Sequence, residues 1–128
     1  MNAAVSTELG VFLVDLDDES VIGPTEGPFE PEPQPEVGLP LVVAAASSGS
    51  TIVAVVDRRP PLVVSGDVGR TWRETGGGLP AGRGVAIDPE NPDVMLYAAR
   101  SRLYVSHDGG RFWHALAVEL PEIYGVSL

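Results

Sequence analysis

The chain has 128 residues and a mass of 13.4 kDa, the length of one domain with a single core. It contains no cysteine, which excludes disulfides, a thiolate zinc site and a cysteine nucleophile. Its 8 basic residues are all arginine and stand against 18 acids, and the formal charge of −10 disfavours non-specific binding to nucleic acid or to an anionic membrane.

Fifteen glycines and 12 prolines point to short strands with many turns. No apolar run approaches the roughly 18 residues of a membrane span. The start, Met1 to Asp18, has no basic residue and soon turns acidic. It therefore does not read as a secretory signal, and a cytoplasmic location is expected. Short strands are expected at residues 3–8, 10–16 and 19–22. From Pro24 to Glu36 the chain is rich in proline and glutamate. Proline removes backbone donors and the glutamates repel one another, so an extended linker or strap is expected over 24–38. Such a stretch could also serve as a docking peptide for a partner groove.

Four strands are then expected at 41–46, 51–57, 61–65 and 70–75. A second set of four follows. Gly84–Ile87 is apolar and closes at Asp88-Pro89-Glu90-Asn91-Pro92-Asp93, where two prolines oppose a helix. Residues 94–99, 103–106 and 111–117 complete the set, with Asp108-Gly109-Gly110 as a hairpin signal. The final strand is expected from Tyr124.

The two sets are copies. Ser65-Gly66-Asp67-Val68-Gly69-Arg70-Thr71-Trp72 recurs as Ser106-His107-Asp108-Gly109-Gly110-Arg111-Phe112-Trp113. Eleven of the 26 residues from 62 to 87 are identical to the residue 41 positions later, without a gap. Four strands in a period of about 40–45 residues is the size of a β-propeller blade. In each copy a hydroxyl and a carboxylate two residues apart can hold the turn's own backbone. The glycine supplies a positive φ. The indole is expected to pack against neighbouring strands.

The motif S-x-D-x-G-x-x-W resembles the Asp-box, or BNR repeat. It is found in β-propellers that include sialidases, the sortilin ectodomain, xyloglucanases and a photosystem II assembly factor. Ser65, Asp67, Gly69 and Trp72 fill it once, and Ser106, Asp108, Gly110 and Trp113 fill it again. The resemblance covers roughly residues 41–128 and implies an all-β fold of four-stranded antiparallel blades, about three per chain. On this reading 1–23 is a partial blade, 24–38 the linker, 39–78 and 79–119 the two blades with Asp-boxes, and 120–128 the inner strand of the next blade. One blade is then shared between the two termini. Asp17-Asp18-Glu19-Ser20 stands where a third motif would be, without its Gly and Trp.

Three blades do not close a ring when about 4–8 are usual. Three ways of covering the end sheets follow: a head-to-tail dimer, which is the expected partner arrangement, a place in a longer propeller, or a strap over the open face. Propeller geometry puts Arg58, Arg59, Arg83, Arg100 and Arg102 together on one face, with Glu119, Glu122 and Tyr124. Guanidinium forks suit carboxylates and phosphates, so these arginines are the candidate anion-binding residues. They could equally pair with neighbours such as Asp57 or Glu122. No catalytic residue, metal ligand or cofactor is assigned. His107 and His114 lack metal-ligand spacing, and no phosphate loop or nucleophile elbow is present. The expected function is a non-catalytic module for protein interaction or assembly. The alternative is a sialidase-like protein that binds or hydrolyses glycans, or binds an anionic small molecule.

Overall fold

Alternating apolar residues and turn signals become twelve strands and no helix in the computed structural model, which describes residues 1–128. They are β1 (Asn2–Thr7), β2 (Gly10–Asp15), β3 (Ser20–Thr25), β4 (Val42–Ser48), β5 (Thr51–Val56) and β6 (Leu62–Ser65). The rest are β7 (Arg73–Thr75), β8 (Gly84–Ile87), β9 (Met95–Ala98), β10 (Arg102–Ser106), β11 (His114–Glu119) and β12 (Ile123–Ser127). The fourth strands of the repeat, β7 and β11, begin later than the sequence pattern suggests. Thr71 and Phe112 give their N–H groups to the carboxylates of Asp67 and Asp108, so they cannot join the ladder.

These strands form three four-stranded antiparallel sheets, ordered β4-β5-β6-β7, β8-β9-β10-β11 and β12-β1-β2-β3. The third sheet takes its inner strand from the C-terminal segment: Val5 lies opposite Val126, and Ala4 opposite Ser127. Tight turns set the registers. Ser48 pairs with Thr51 across Gly49-Ser50, and Gly49 takes a φ of 60° that suits a two-residue hairpin. At the β1–β2 turn the Thr7 hydroxyl donates to the Gly10 carbonyl at 2.7 Å and accepts the Leu9 N–H at 3.2 Å.

The sheet β8–β11 lies in the middle. One face, with Ala86, Leu96, Leu103 and Leu116, packs on Ala3, Val5, Val14 and Ile123 of the terminal sheet. Its other face, with Val85, Ile87, Met95 and Tyr97, packs on Val53, Val55, Leu62 and Val64 of the β4–β7 sheet. Burial on both faces explains why Met95-Leu96-Tyr97-Ala98 reads as an unbroken apolar run rather than an alternating one.

Residues 26–40 lie outside every strand and make no backbone–backbone hydrogen bond. They are nevertheless placed. Phe29 lies over Gly125, where an added Cβ would sit 3.4 Å from the ring. One oxygen of Glu32 accepts from the Ser127 hydroxyl at 3.2 Å and from the Leu128 N–H at 2.9 Å. Val37 and Leu39, with Val42 and Trp72, cover Ala45, Ala54, Val56 and Val63 on the outer face of the β4–β7 sheet. The segment 26–40 is thus a strap that runs from the C-terminal strand, through Phe29 and Glu32, to the outer face of the β4–β7 sheet, which Val37 and Leu39 cover.

Candidate functional site

The two repeat turns are built alike. The Ser65 hydroxyl donates to Asp67 Oδ1 at 2.7 Å and accepts the Gly69 N–H at 2.8 Å. Asp67 accepts the Thr71 N–H at 2.8 Å and the Thr71 hydroxyl at 2.6 Å. In the second copy the Ser106 hydroxyl donates to Asp108 at 2.8 Å and accepts the Gly110 N–H at 2.9 Å. Asp108 accepts the N–H groups of Arg111 and Phe112 at 3.1 and 3.0 Å. Gly69 and Gly110 have φ values of 84° and 86°, conformations that disfavour any residue with a Cβ. Both indoles are half-buried, Trp72 in the strap-covered cluster and Trp113 in the core against Tyr97. The serine and aspartate side chains of both copies are engaged in holding their turns, and Asp108 and Trp113 also border a depression of about 290 Å³ with Phe112 and His114.

Position 68 breaks the local rule. Val68 has a φ of 60°, the same left-handed conformation that Gly109 adopts in the second copy at 72°. A β-branched residue there costs about 1–2 kcal/mol. Val68 is also 68% exposed, so its side chain contributes little packing. Val68→Gly is expected to stabilise the protein by about 1 kcal/mol once glycine's own entropy cost is subtracted. A denaturant midpoint that falls in the variant would refute this.

Hydrogen bonding pulls Asp67 from 3.8 down to about 2, first through the Thr71 hydroxyl and then through the Thr71 N–H and Ser65. Asp108 is also lowered, chiefly by the Phe112 N–H and the Ser106 hydroxyl. A carboxyl depressed in the folded state contributes stability above its unfolded value and loses it as pH falls towards its folded one. For Asp67 this window runs from 3.8 down to about 2. Asp67→Asn is expected to flatten the acid limb of the stability profile in that window. Urea midpoints that fall as steeply in the variant as in the parent would contradict it.

The first turn-bearing sheet reaches the second turn directly. Thr75 donates its hydroxyl to the Gly110 carbonyl, and Arg73 donates to the Gly109 carbonyl. At the next junction a different device appears. Glu19, in the turn that lacks the motif, accepts the Ala117 N–H at 2.9 Å and pairs with His114 at 3.1 Å. Sequence reasoning missed this latch. Its partners lie 95 and 98 residues away, and no local spacing signals it.

β6 and β10 carry these turns at one end and arginines at the other. Arg58 and Arg59 stand in the β5–β6 turn, Arg83 immediately before β8, Arg100 in the β9–β10 turn, and Arg102 at the start of β10. Arg58 and Arg59 line one depression of about 150 Å³ with Val43, Asp57 and Leu79. Arg83, Arg100 and Arg102 line another, of about 450 Å³, with Tyr104 and Pro80. Both depressions include Ala81, so the five side chains border adjoining surfaces. Glu122 pairs with Arg100 at 3.1 Å and Arg83 at 3.6 Å, and Glu74 pairs with Arg58 at 3.2 Å. Arg59 and Arg102 are in no ion pair. Exposed pairs of this kind are worth about 1 kcal/mol or less, so a partner's carboxylate can compete for them.

Glu122 is engaged by two guanidinium groups, and no hydrogen bond joins it to the Tyr124 hydroxyl. Tyr124 itself is 58% exposed. No three His, Asp or Glu side chains converge on a point that could hold a metal ion. The chain matches no protein-family model, and no curated protein sequence matches it.

Proposed function

We propose that this chain is a non-catalytic interaction module made of Asp-box propeller blades, which engages an acidic protein segment through its arginine-lined face. The observation that carries the reading is the gathering of Arg58, Arg59, Arg83, Arg100 and Arg102 around two adjoining depressions in a chain of net charge −10. Guanidinium groups beside Val43, Leu79 and Tyr104 give the mix of arginine, aromatic and aliphatic contacts that interface centres favour. The blade reading is supported by the hydrogen-bonded Ser/Asp/Gly/Trp turns and by a sheet that joins the first and last strands. A fluorescent glutamate-rich peptide is the direct probe. Arg59→Ala with Arg102→Ala should weaken its binding about 10-fold and reduce its salt dependence. Equal binding by parent and variant would overturn the reading.

The sialidase-like alternative rests on the group Arg83, Arg100 and Arg102, which could receive a glycan carboxylate. Turnover of a fluorogenic sialoside, or selective retention on a glycan array, would favour it over protein binding.

A further inference from the structure

Charge is divided unevenly along this chain. Residues 1–36 hold nine acids and no arginine, whereas residues 37–128 hold nine acids and all eight arginines. Four of the acids, Glu26, Glu30, Glu32 and Glu36, lie on the strap. Glu32 is engaged by Ser127 and Leu128. Glu26, Glu30 and Glu36 are exposed, and none forms an ion pair. The strap's backbone is held in no ladder, and Pro28, Pro31, Pro33 and Pro35 keep it extended. It therefore displays carboxylates from a segment that has little freedom left to lose on binding.

The arginine-lined face is the complement. Arg59 and Arg102 have no carboxylate partner within their own chain, and no strap glutamate pairs with any arginine of its own chain. We propose that the occupant of this face is a second copy of the chain, which presents Glu26, Glu30 and Glu36 to Arg59, Arg102 and their neighbours. The inference rests on reading that face as an interaction surface and adds the identity of the partner. Two such contacts exchanged about a two-fold axis close a dimer with no unpaired set left over. Long-range repulsion between two copies of charge −10 opposes the approach. At about 0.1 M salt the screening length is about 10 Å, which damps that repulsion and leaves contact pairs largely intact.

Sedimentation equilibrium tests this on the full chain. At about 0.1 M salt the mass should rise with concentration from 13.4 kDa to twice that value, and about 1 M salt should reverse the rise. R59E/R102E alone and E26R/E30R/E36R alone should each weaken self-association at least about 10-fold. Their equimolar mixture should restore a dimer containing one copy of each, because both contacts are again complementary. All five positions are charged surface residues, and matching far-UV spectra will show that the variants fold. The salt series on the parent protein reads the same contact with no substitution. A parent that stays at 13.4 kDa at every concentration and salt, or a dimer indifferent to both sets of reversals, overturns the proposal. If the glutamate-rich peptide needs Arg59 and Arg102 while the parent stays monomeric, the face binds acidic segments but its partner is not a second copy. If the parent dimerises through these charges and the peptide fails to bind, the interaction surface is specific for the folded strap.

Discussion

Replacing Trp113 with alanine is expected to cost about 3–5 kcal/mol, which lowers the melting temperature by about 10–20 °C. Three contacts are lost together. The indole packs with Leu79 and Tyr104 against the core that joins two sheets. Its edge meets Tyr97 at a centroid distance of 6.1 Å and an interplanar angle of 63°, the favoured tilted arrangement. Its Nε1–H donates to the Gly110 carbonyl at 2.9 Å, which ties the end of the turn to its middle. Trp72, at the equivalent place in the first copy, packs on the smaller cluster of Ala45, Ala54, Val56 and Val63 and has no such hydrogen bond. Its truncation should cost less. Thermal unfolding of both variants checks the order, and a Trp113→Ala melting curve that overlays the parent's would remove the packing role.

Gly82→Ala should destabilise the protein by about 3 kcal/mol, the upper end of what overpacking costs. A Cβ at that position would sit 2.4 Å from the Tyr97 hydroxyl oxygen and 2.5–2.6 Å from ring carbons. The ring has nowhere to go. Tyr97 is 0% exposed, its hydroxyl donates to the Pro80 carbonyl at 2.6 Å, and Tyr104 and Trp113 hold its faces and edges. Burial also pushes the Tyr97 hydroxyl up to about 12, which provides a spectroscopic reporter. In Gly82→Ala the displaced phenol should titrate closer to 10.0, and adding Tyr97→Leu should recover part of the lost stability. Chemical denaturation and ultraviolet pH titration read the two effects. A variant with the parent's stability and titration would show that the tyrosine can move without cost.

The strands were legible because each one ends in its own punctuation. Asn91-Pro92 and Asp108-Gly109-Gly110 mark turns whose geometry follows from local chemistry. The pairing of the chain's ends was legible for another reason: Tyr124-Gly125-Val126 matches Arg83-Gly84-Val85 and so implies an inner strand. The unbroken apolar runs at β5 and β9 also signal two covered faces, but a run cannot say what covers them. For β9 both covers are sheets, whereas for β5 one is the strap, through Val37 and Leu39. The strap's path depends on single contacts such as Phe29 on Gly125 and Glu32 on Leu128, which no periodicity encodes. The arginine surface was partly legible. Turn positions placed the five side chains on one side, and Glu122 was recognisable as a neutralising neighbour. The freedom of Arg59 and Arg102 depends on distances between side chains from different turns, which sequence alone does not give.

The pairing of β12 with β1 also has a consequence for biosynthesis. The sheet that begins at residue 2 stays without its innermost member until residues 123–127 have left the ribosome. Until then Ala3, Val5 and Val14 have an incomplete shelter, so the nascent segment is exposed to mispairing while the β4–β7 sheet, complete at residue 75, can already assemble. Completing that sheet means closing a loop of nearly the full chain length, a contact of high sequence separation that is slow to form and late to arrive.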